Sequence, residues 1–520
     1  MVRIIPRLDI KGPNLVKGIH LEGLRVLGTP EPFARYYAEQ GADELLFMDV
    51  VASLYQRNSL LELVSRISRE IFIPLTVGGG LRTIEDIRMV LRAGADKVSL
   101  NTAAIRRPEL IRKAAQRFGS STIVVSIEAI KKPDGTYEAY TDNGRERTGV
   151  DAMDWALRAA ELGAGELLVT SIDREGTGKG FDLELTRRIA ESVPIPVIAC
   201  GGAGRRSHVE EVVAAGRADA VCLASMLHYA DVAPRTAEQV AAQEGNTEYL
   251  KSRRGFSKVQ GATIPQIKAW LATRDVSCRA SGDDSLFHCS ERSAVPQPSV
   301  AIIDYEMGNL FSVKHACEHT GLQATITSSR DAIQSADAVI LPGVGAFGDA
   351  MAALRRLDLI SLLKDCAASG KPLMGVCLGM QLLMAESEEF GRHRGLGIID
   401  GDVVRLHPGA ADGRSLKVPQ VGWNRIEPAG PERWRQSLLA GIPAGTWMYF
   451  VHSFYSRPTD AEVTLSMTRY GAMEFCSSLA RRNVFACQFH PERSGPEGLR
   501  IYRQFAMMAK RTIMEVVQHV

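Results

Sequence analysis

The sequence predicts two α/β domains in series, a (β/α)8 barrel followed by a doubly wound α/β domain, and three observations carry that prediction. Residues 1 to about 228 alternate short apolar runs with amphipathic stretches, the pattern of β/α units around a parallel sheet. Within that span the chain repeats itself at a spacing of about 122 residues. Beyond it, a cysteine between two glycines in MGVCLGMQ (374–381) is followed 111 residues later by QFHPE (488–492), which places a nucleophile and a base in a second domain.

In chain order, eight candidate strands lie near residues 3–9, 44–50, 73–77, 96–100, 123–128, 166–171, 195–199 and 219–223, the count of a TIM barrel. GADELLFMD from Gly41 returns as GAGELLVTSID from Gly163, and IPLTVGGG from Ile73 as IPVIACGG from Ile195, both at an offset of 122. GADKVSLNT around Asp96 returns as RADAVCLAS around Asp219 at 123, and Asp9 aligns with Glu128 at 119. A nearly constant offset of half a barrel predicts two four-strand halves related by a pseudo-twofold axis. Residues 229–262 are polar and turn-rich and read as an insertion in the last unit. TIPQIKAWLATRDV (263–276) is amphipathic, with Thr263 as its cap, and reads as the eighth helix. The Ser, Asp and Pro content of 278–299 is that of a linker, which sets the barrel domain at 1–277 and the second domain at 300–520.

Barrels of this kind carry their chemistry at the C-terminal ends of the strands. Asp9 ends the first strand and Glu128 the fifth, so the repeat sets two carboxylates across one mouth, an arrangement suited to giving and taking a proton. A lone acidic residue there would more commonly cap a loop or pair with a lysine; the symmetric pair favours catalysis. Gly78-Gly79-Gly80 follows the third strand and Gly201-Gly202 the seventh, while Asn101-Thr102 and Ala224-Ser225 follow the fourth and eighth. Small residues at these ends expose backbone N–H groups that can hold phosphate, and two equivalent cradles imply a substrate with a phosphate at each end. Tight turns are the alternative reading of the glycines.

In the second domain, Lys371 to Val376 is an apolar run suited to a buried strand and Met380 to Ala385 reads as a helix start. Cys377 thus falls on a sharp elbow at a helix N-terminus, where unpaired N–H groups favour a thiolate. His490 follows the apolar Val484 to Phe489, and Glu492, beyond Pro491, is placed to orient its imidazole. Together the two motifs read as a glutamine-hydrolysing triad. ILPGVGAFG (340–348) offers a backbone N–H near Val344 that would join that of Leu378 in an oxyanion hole, and VHSFY (451–455) is a candidate for the amino-acid end of the substrate.

Composition excludes several classes. A formal charge of +2 over 520 residues, with no basic stripe, gives no footprint for nucleic acid, and no apolar run reaches the length of a membrane span. The N-terminal MVRIIPRLDIKG lacks a signal peptide's apolar segment, and nine scattered cysteines form neither a CxxC nor a zinc spacing. A cytoplasmic enzyme with reduced thiols and without a metal or other cofactor is expected.

The motifs IIPRLDIKGPNLVKG, DELLFMD, TVGGG, GADKVSLNTAA, TSIDREGT and GGAG, with GNLFSV, LPGVGAFGD, GVCLGMQLL, PQVGWN, YFVHSF and FHPERS in the second half, resemble imidazole-glycerol-phosphate synthase over nearly the whole chain. That family pairs a cyclase barrel with a class I glutamine amidotransferase in histidine biosynthesis. The resemblance implies that Cys377, His490 and Glu492 hydrolyse glutamine, with Gln381 in the pocket. Ammonia would cross the barrel past a charged gate of Arg3, Glu44, Lys97 and Glu166, with Asp96 and Arg493 as an ion pair between the halves. Asp9 and Glu128, assisted by Lys17, would turn a bis-phosphorylated ribulosyl aminoimidazole carboxamide ribotide into imidazole glycerol phosphate and AICAR. Gly80, Asn101, Thr102, Gly176, Gly202 and Ser225 would hold that substrate. The sequence departs from the family at Glu128 and Glu175, usually aspartates, and at Cys200, usually serine. These departures resemble a branch that supplies ammonia for amidino groups on surface-polysaccharide sugars.

Overall fold

The computed structural model describes residues 1–50, 58–235, 259–279, 297–307, 309–411 and 414–518. It divides into two compact units, one built almost wholly from Met1–Gly282 and the other from Asp283–Val520. The linker expected at 278–299 and the insertion expected at 229–262 lie largely outside the described residues. The described start of that insertion is helical, because the helix after the last barrel strand runs unbroken over Ser225–Arg235.

In the first unit eight parallel strands close on themselves: β1 (Arg3–Lys11), β2 (Leu45–Asp49), β3 (Leu75–Gly78), β4 (Lys97–Leu100), β5 (Ile123–Lys131), β6 (Glu166–Ser171), β7 (Val197–Cys200) and β8 (Ala220–Leu223). Closure runs through β5 and β6, where Leu168 pairs with Ser126 and Thr170 with Glu128, so no strand of the barrel is left as an edge. One side-chain device recurs around the barrel. Asp43, Asp96 and Asp219 each accept, at 2.8 Å, the first free N–H of a neighbouring strand, from Ile4, Leu75 and Val197 respectively. Each aspartate returns its own N–H to that same residue's carbonyl. The carboxylate thereby satisfies a donor that the parallel ladder cannot reach.

The halves share a further feature that the apolar pattern did not reveal. An antiparallel hairpin (Asn14–Ile19 and Glu22–Gly28) extends β1, and another (Tyr137–Thr141 and Glu146–Asp151) extends β5. Both stand over the C-terminal mouth. At the other end the expected eighth helix is present as Ile264–Ala272, capped by Thr263 in a reciprocal box with Gln266. Its buried Lys268 donates to Asp43 Oδ1 at 2.8 Å and to the Gly41 carbonyl at 2.7 Å, which ties the helix to the start of β2. Among the described residues, no helix is long and apolar enough to cross a membrane.

The second unit holds a sheet with parallel strands β9 (Ser299–Ile303), β10 (Gln323–Thr327), β11 (Ala338–Leu341), β12 (Leu373–Val376) and β13 (Val484–Cys487), in the order β10-β9-β11-β12-β13, continued by antiparallel strands beyond β13. Helices including Phe347–Arg356 and Ile360–Ala368 cover it, and their apolar faces meet Ala301, Ile303, Val339, Leu341 and Leu373 in one core. Parallel pairing of β12 with β13 sets Val376 opposite Cys487. That register brings residues far apart in sequence to adjacent strand ends.

Candidate active sites

Cys377 directly follows β12 and begins the helix Leu378–Leu382, with φ of 49° and ψ of −106°. A non-glycine residue at positive φ is held there by its surroundings. Its N–H donates to the Cys487 carbonyl at 2.7 Å, across to β13. The flanking glycines make the elbow possible: a Cβ on Gly379 would lie 1.9 Å from the Leu341 carbonyl oxygen. On Gly343 it would lie 2.4 Å from the Leu378 Cβ and 2.6 Å from the Gly379 nitrogen. The Gly343 backbone, one residue before Val344, is thus pressed against the elbow at Leu378 and Gly379.

His490, three residues past β13, directs Nδ1 to Glu492 Oε1 at 2.7 Å, and Tyr502 donates to the other carboxylate oxygen at 3.4 Å. The His490 backbone is clamped by the Tyr449 carbonyl at 2.9 Å and by the Ser494 hydroxyl at 2.6 Å. Burial opposes charge on the imidazole, but the Cys377 thiolate and Glu492 outweigh it and hold His490 well above the ordinary histidine range. The proton is therefore favoured on His490, whose Nε2 has no hydrogen-bond partner among the described residues, so it is placed to serve as the acid in a Cys–His pair. Gln381 donates to the Phe454 carbonyl at 2.9 Å and to Gln488 Oε1 at 3.1 Å, and Gln488 donates to Cys377 Sγ at 3.4 Å. His452, in the VHSFY segment, bonds the Phe454 carbonyl at 2.8 Å and is pushed down to about 4 by burial, so its ring is neutral.

In the barrel, Asp9 and Glu128 end up at the same mouth. Asp9 Oδ1 accepts from Arg7 Nε at 2.7 Å. Glu128 is buried, and burial pushes its carboxyl up to about 7 against the opposing influence of Arg7 and the Gly144 N–H. It borders a cavity of about 460 Å³ together with Gly79, Gly80, Asn101, Thr102 and Arg106. The first proposed phosphate cradle and one carboxyl of the pair thus share one space. Lys17 is paired in the interior with Glu175, whose charge raises it despite burial. At the opposite cradle, Gly202 has φ of 105° and a Cβ there would lie 2.2 Å from the Gly180 carbonyl oxygen; a Cβ on Gly176 would lie 2.8 Å from the Gly18 oxygen. These glycines serve close approach of loops, and Ser225 opens the adjacent helix. Among the described residues, the buried Arg7 Nη2, Ser99 Oγ, Asn101 Oδ1, Glu128 Oε2 and Thr170 Oγ1 have no hydrogen-bond partner. So many orphaned groups in one region mark a place built for a polar ligand.

At the N-terminal end of the strands, Arg3, Glu44, Lys97 and Glu166 form a closed ring. Arg3 reaches Glu44 at 2.6 Å and also Glu166; Lys97 reaches Glu44 at 2.7 Å and Glu166 at 2.5 Å. Burial alone would raise Glu44, but the two cations outweigh it and lower it. Each ion has two opposite neighbours, which is what allows four charges to stay dry.

Comparison with known proteins gives these geometries a family. Residues 3–233 match the family described as Histidine biosynthesis protein, and residues 301–509 match Glutamine amidotransferase class-I. Over 204 residues, 39% of this chain and 96% of the relative, the sequence is 58% identical to Imidazole glycerol phosphate synthase subunit HisF of Legionella pneumophila. Over 230 residues, 44% of this chain and 91% of the relative, it is 49% identical to the HisF subunit of Alkaliphilus metalliredigens (strain QYMF). The chain belongs to the HisF family.

In this HisF-family barrel the three departures noted in the sequence all fall at the mouth: Glu128 on the cavity, Glu175 against Lys17, and Cys200 at 3.5 Å from Arg7 Nη1. Arg7 itself was missed in the sequence, although strand alternation puts it on the same face as Asp9. Thr170 and Ser99 were missed as well, since an inward hydroxyl one pleat below a strand end has no sequence mark of its own. Gln488 lies within QFHPE, where no local pattern gives it a role, and only the β12–β13 register brings it to the Cys377 sulfur.

Proposed function

We propose that the chain is a bifunctional imidazole glycerol phosphate synthase of histidine biosynthesis, working in the cytoplasm. The observation that carries it is the presence, in one HisF-family chain, of a Cys377–His490–Glu492 set on a nucleophile elbow and a paired-carboxylate barrel mouth.

At the amidotransferase, the Cys377 thiolate attacks the carboxamide carbon of glutamine, while the N–H groups near Val344 and Leu378 take the developing oxyanion. His490 gives its proton to the departing nitrogen, releasing ammonia and leaving a glutamyl thioester; it then takes a proton from the water that hydrolyses the ester to glutamate. Glu492 keeps the imidazole oriented throughout. Gln381 lines the glutamine pocket. Ammonia moves through the barrel past the ring of Arg3, Glu44, Lys97 and Glu166. Passage inside protein matters because free ammonia in neutral water is mostly protonated and no longer nucleophilic.

At the mouth, the bis-phosphorylated ribulosyl aminoimidazole carboxamide ribotide lies with one phosphate over Gly80, Asn101 and Thr102 and the other over Gly176, Gly202 and Ser225, and Lys17 faces the acid–base pair. Asp9 and Glu128 move the protons of ammonia addition, ring closure and release of AICAR. A carboxyl at about 7 is half-protonated near neutrality, the condition in which a general acid or base works best. The test is steady-state conversion of the ribotide with ammonium in place of glutamine. Formation of imidazole glycerol phosphate and AICAR supports the reading. Glutamine hydrolysis with no turnover of the ribotide would refute the cyclase half and favour ammonia supply to another acceptor, such as an amidino-sugar precursor.

A further inference from the structure

Side chains of β1 alternate between the faces of the strand, so Arg3, Ile5, Arg7 and Asp9 point the same way, into the barrel. Arg3 belongs to the charged ring, and Ile5 to the apolar layer above it with Leu46, Val124, Leu168 and Ile198. Arg7 therefore occupies the layer directly beneath the Asp9 carboxylate, and it is 2% exposed. A guanidinium so deeply buried is costly unless its donors are used. Nε is used by Asp9 at 2.7 Å and Nη1 by Cys200 Sγ at 3.5 Å, while Nη2 has no partner among the described residues. Glu128 Oε2, across the same mouth, is likewise buried and unpartnered. An orphaned guanidinium N–H and an orphaned carboxyl oxygen at the same mouth are groups that a bound ligand would complete.

The backbone beneath Arg7 is fixed as well. His228 is buried and pushed down to about 3 by that burial, so its ring is neutral: Nε2–H donates to the Arg7 carbonyl at 3.0 Å and Nδ1 accepts from the Tyr37 hydroxyl at 2.7 Å. No part of this arrangement is needed to close the barrel, since the ladder already pairs Arg7 with Leu46.

We propose that Arg7 binds substrate and positions the barrel's acid–base pair: Nε orients the Asp9 carboxyl, Nη2 donates to an oxygen of the sugar-phosphate substrate, and Glu128 stands across the mouth as the partner of Asp9. The inference rests on the cyclase reading of the barrel. The charged or titratable groups that act on Glu128 are Arg7 and Asp9 from β1 and Cys200 from β7, with the Gly144 N–H from the hairpin turn. Asp49, Arg82, Arg106, Arg107, Asp142 and Glu146 line the cavity it borders. Arg7 is the cation whose charge most favours ionised Glu128.

The experiment is ammonium-driven turnover of the ribotide by the full-length protein, followed as a pH profile for Arg7→Met and Arg7→Lys, with folding checked by thermal melting. Arg7→Met is expected to lower kcat about 100-fold, as loss of one positioned donor does. It should also move the alkaline limb of the profile to higher pH, because the cation favouring ionised Glu128 is gone. Arg7→Lys keeps the charge, so its limb should stay near that of the natural protein while kcat falls about tenfold through loss of the planar fork. Should Arg7→Met not fold, Arg7→Gln supplies the uncharged member of the pair. Equal losses in the charged and uncharged variants with an unmoved limb would overturn the proposal, as would an uncharged variant within threefold of natural activity. If the natural protein itself fails to turn over the ribotide with ammonium, the cyclase reading falls first and the inference falls with it.

Discussion

Replacing Glu128 with glutamine should make the barrel more stable in alkaline solution and leave it inactive. Burial pushes this carboxyl from 4.5 up to about 7. A carboxyl raised on folding contributes stability that is complete below its unfolded value and is lost as pH rises through its folded value. The window therefore runs from about 4.5 to about 7. Between about pH 5 and pH 8 the ionisation of Glu128 costs the fold about 2.5 kcal/mol relative to the unfolded chain. Glu128→Gln keeps the shape and removes the titration, so its stability relative to the natural protein should improve by that amount across the same interval. For a barrel of this size the gain is roughly 5 °C or more in melting temperature at about pH 8 compared with about pH 5. Ammonium-driven turnover should fall about 100-fold or more, since the variant cannot exchange a proton. Calorimetric scans of both proteins at the two pH values, at equal ionic strength, measure the effect. A stability difference that is the same at both would show that Glu128 is not held protonated by burial, and would remove the argument for its role as the acid.

Three further outcomes follow from the same geometry. Glu492→Gln should leave the elbow folded but lower glutamine hydrolysis at least 100-fold, measured as glutamate release, because Nδ1 of His490 loses the carboxylate that orients it. Lys97→Met should destabilise the barrel by about 3–5 kcal/mol in denaturant titration, because Glu44 and Glu166 lose one of the two cations they share in a dry interior. Gly379→Ala should lose most glutaminase activity with little change in ammonium-driven cyclisation, since a Cβ 1.9 Å from the Leu341 oxygen forces the elbow, and not the barrel, to move.

All eight barrel strands fall within a few residues of where the apolar runs place them, because parallel strands buried on both faces need continuous apolar sequence. The hairpins over the mouth escaped that reading. Their strands, such as Glu22–Gly28 and Glu146–Asp151, mix exposed residues with part-buried ones and so show no continuous apolar run. The helix after Cys377 begins at Leu378, two residues before the sequence places it, since the elbow supplies the turn that glycine-rich sequence otherwise suggests is irregular. At the sites, the residues read directly were those whose chemistry stands out at a strand end: Cys377, His490, Asp9 and Glu128. Arg7 and Gln488 were not legible in that way. Their roles come from contacts across strands, Arg7 to Cys200 and Gln488 to Cys377, which no local pattern encodes.

In the proposed function one chain makes ammonia at Cys377 and consumes it at the barrel mouth. The direct measurement is ribotide turnover by Cys377→Ala beside the natural protein, with glutamine and then with ammonium as nitrogen source. The variant should lose turnover with glutamine by at least about 1,000-fold. With ammonium it should match the natural protein. Turnover by the variant with glutamine, or none by either protein with ammonium, would contradict it.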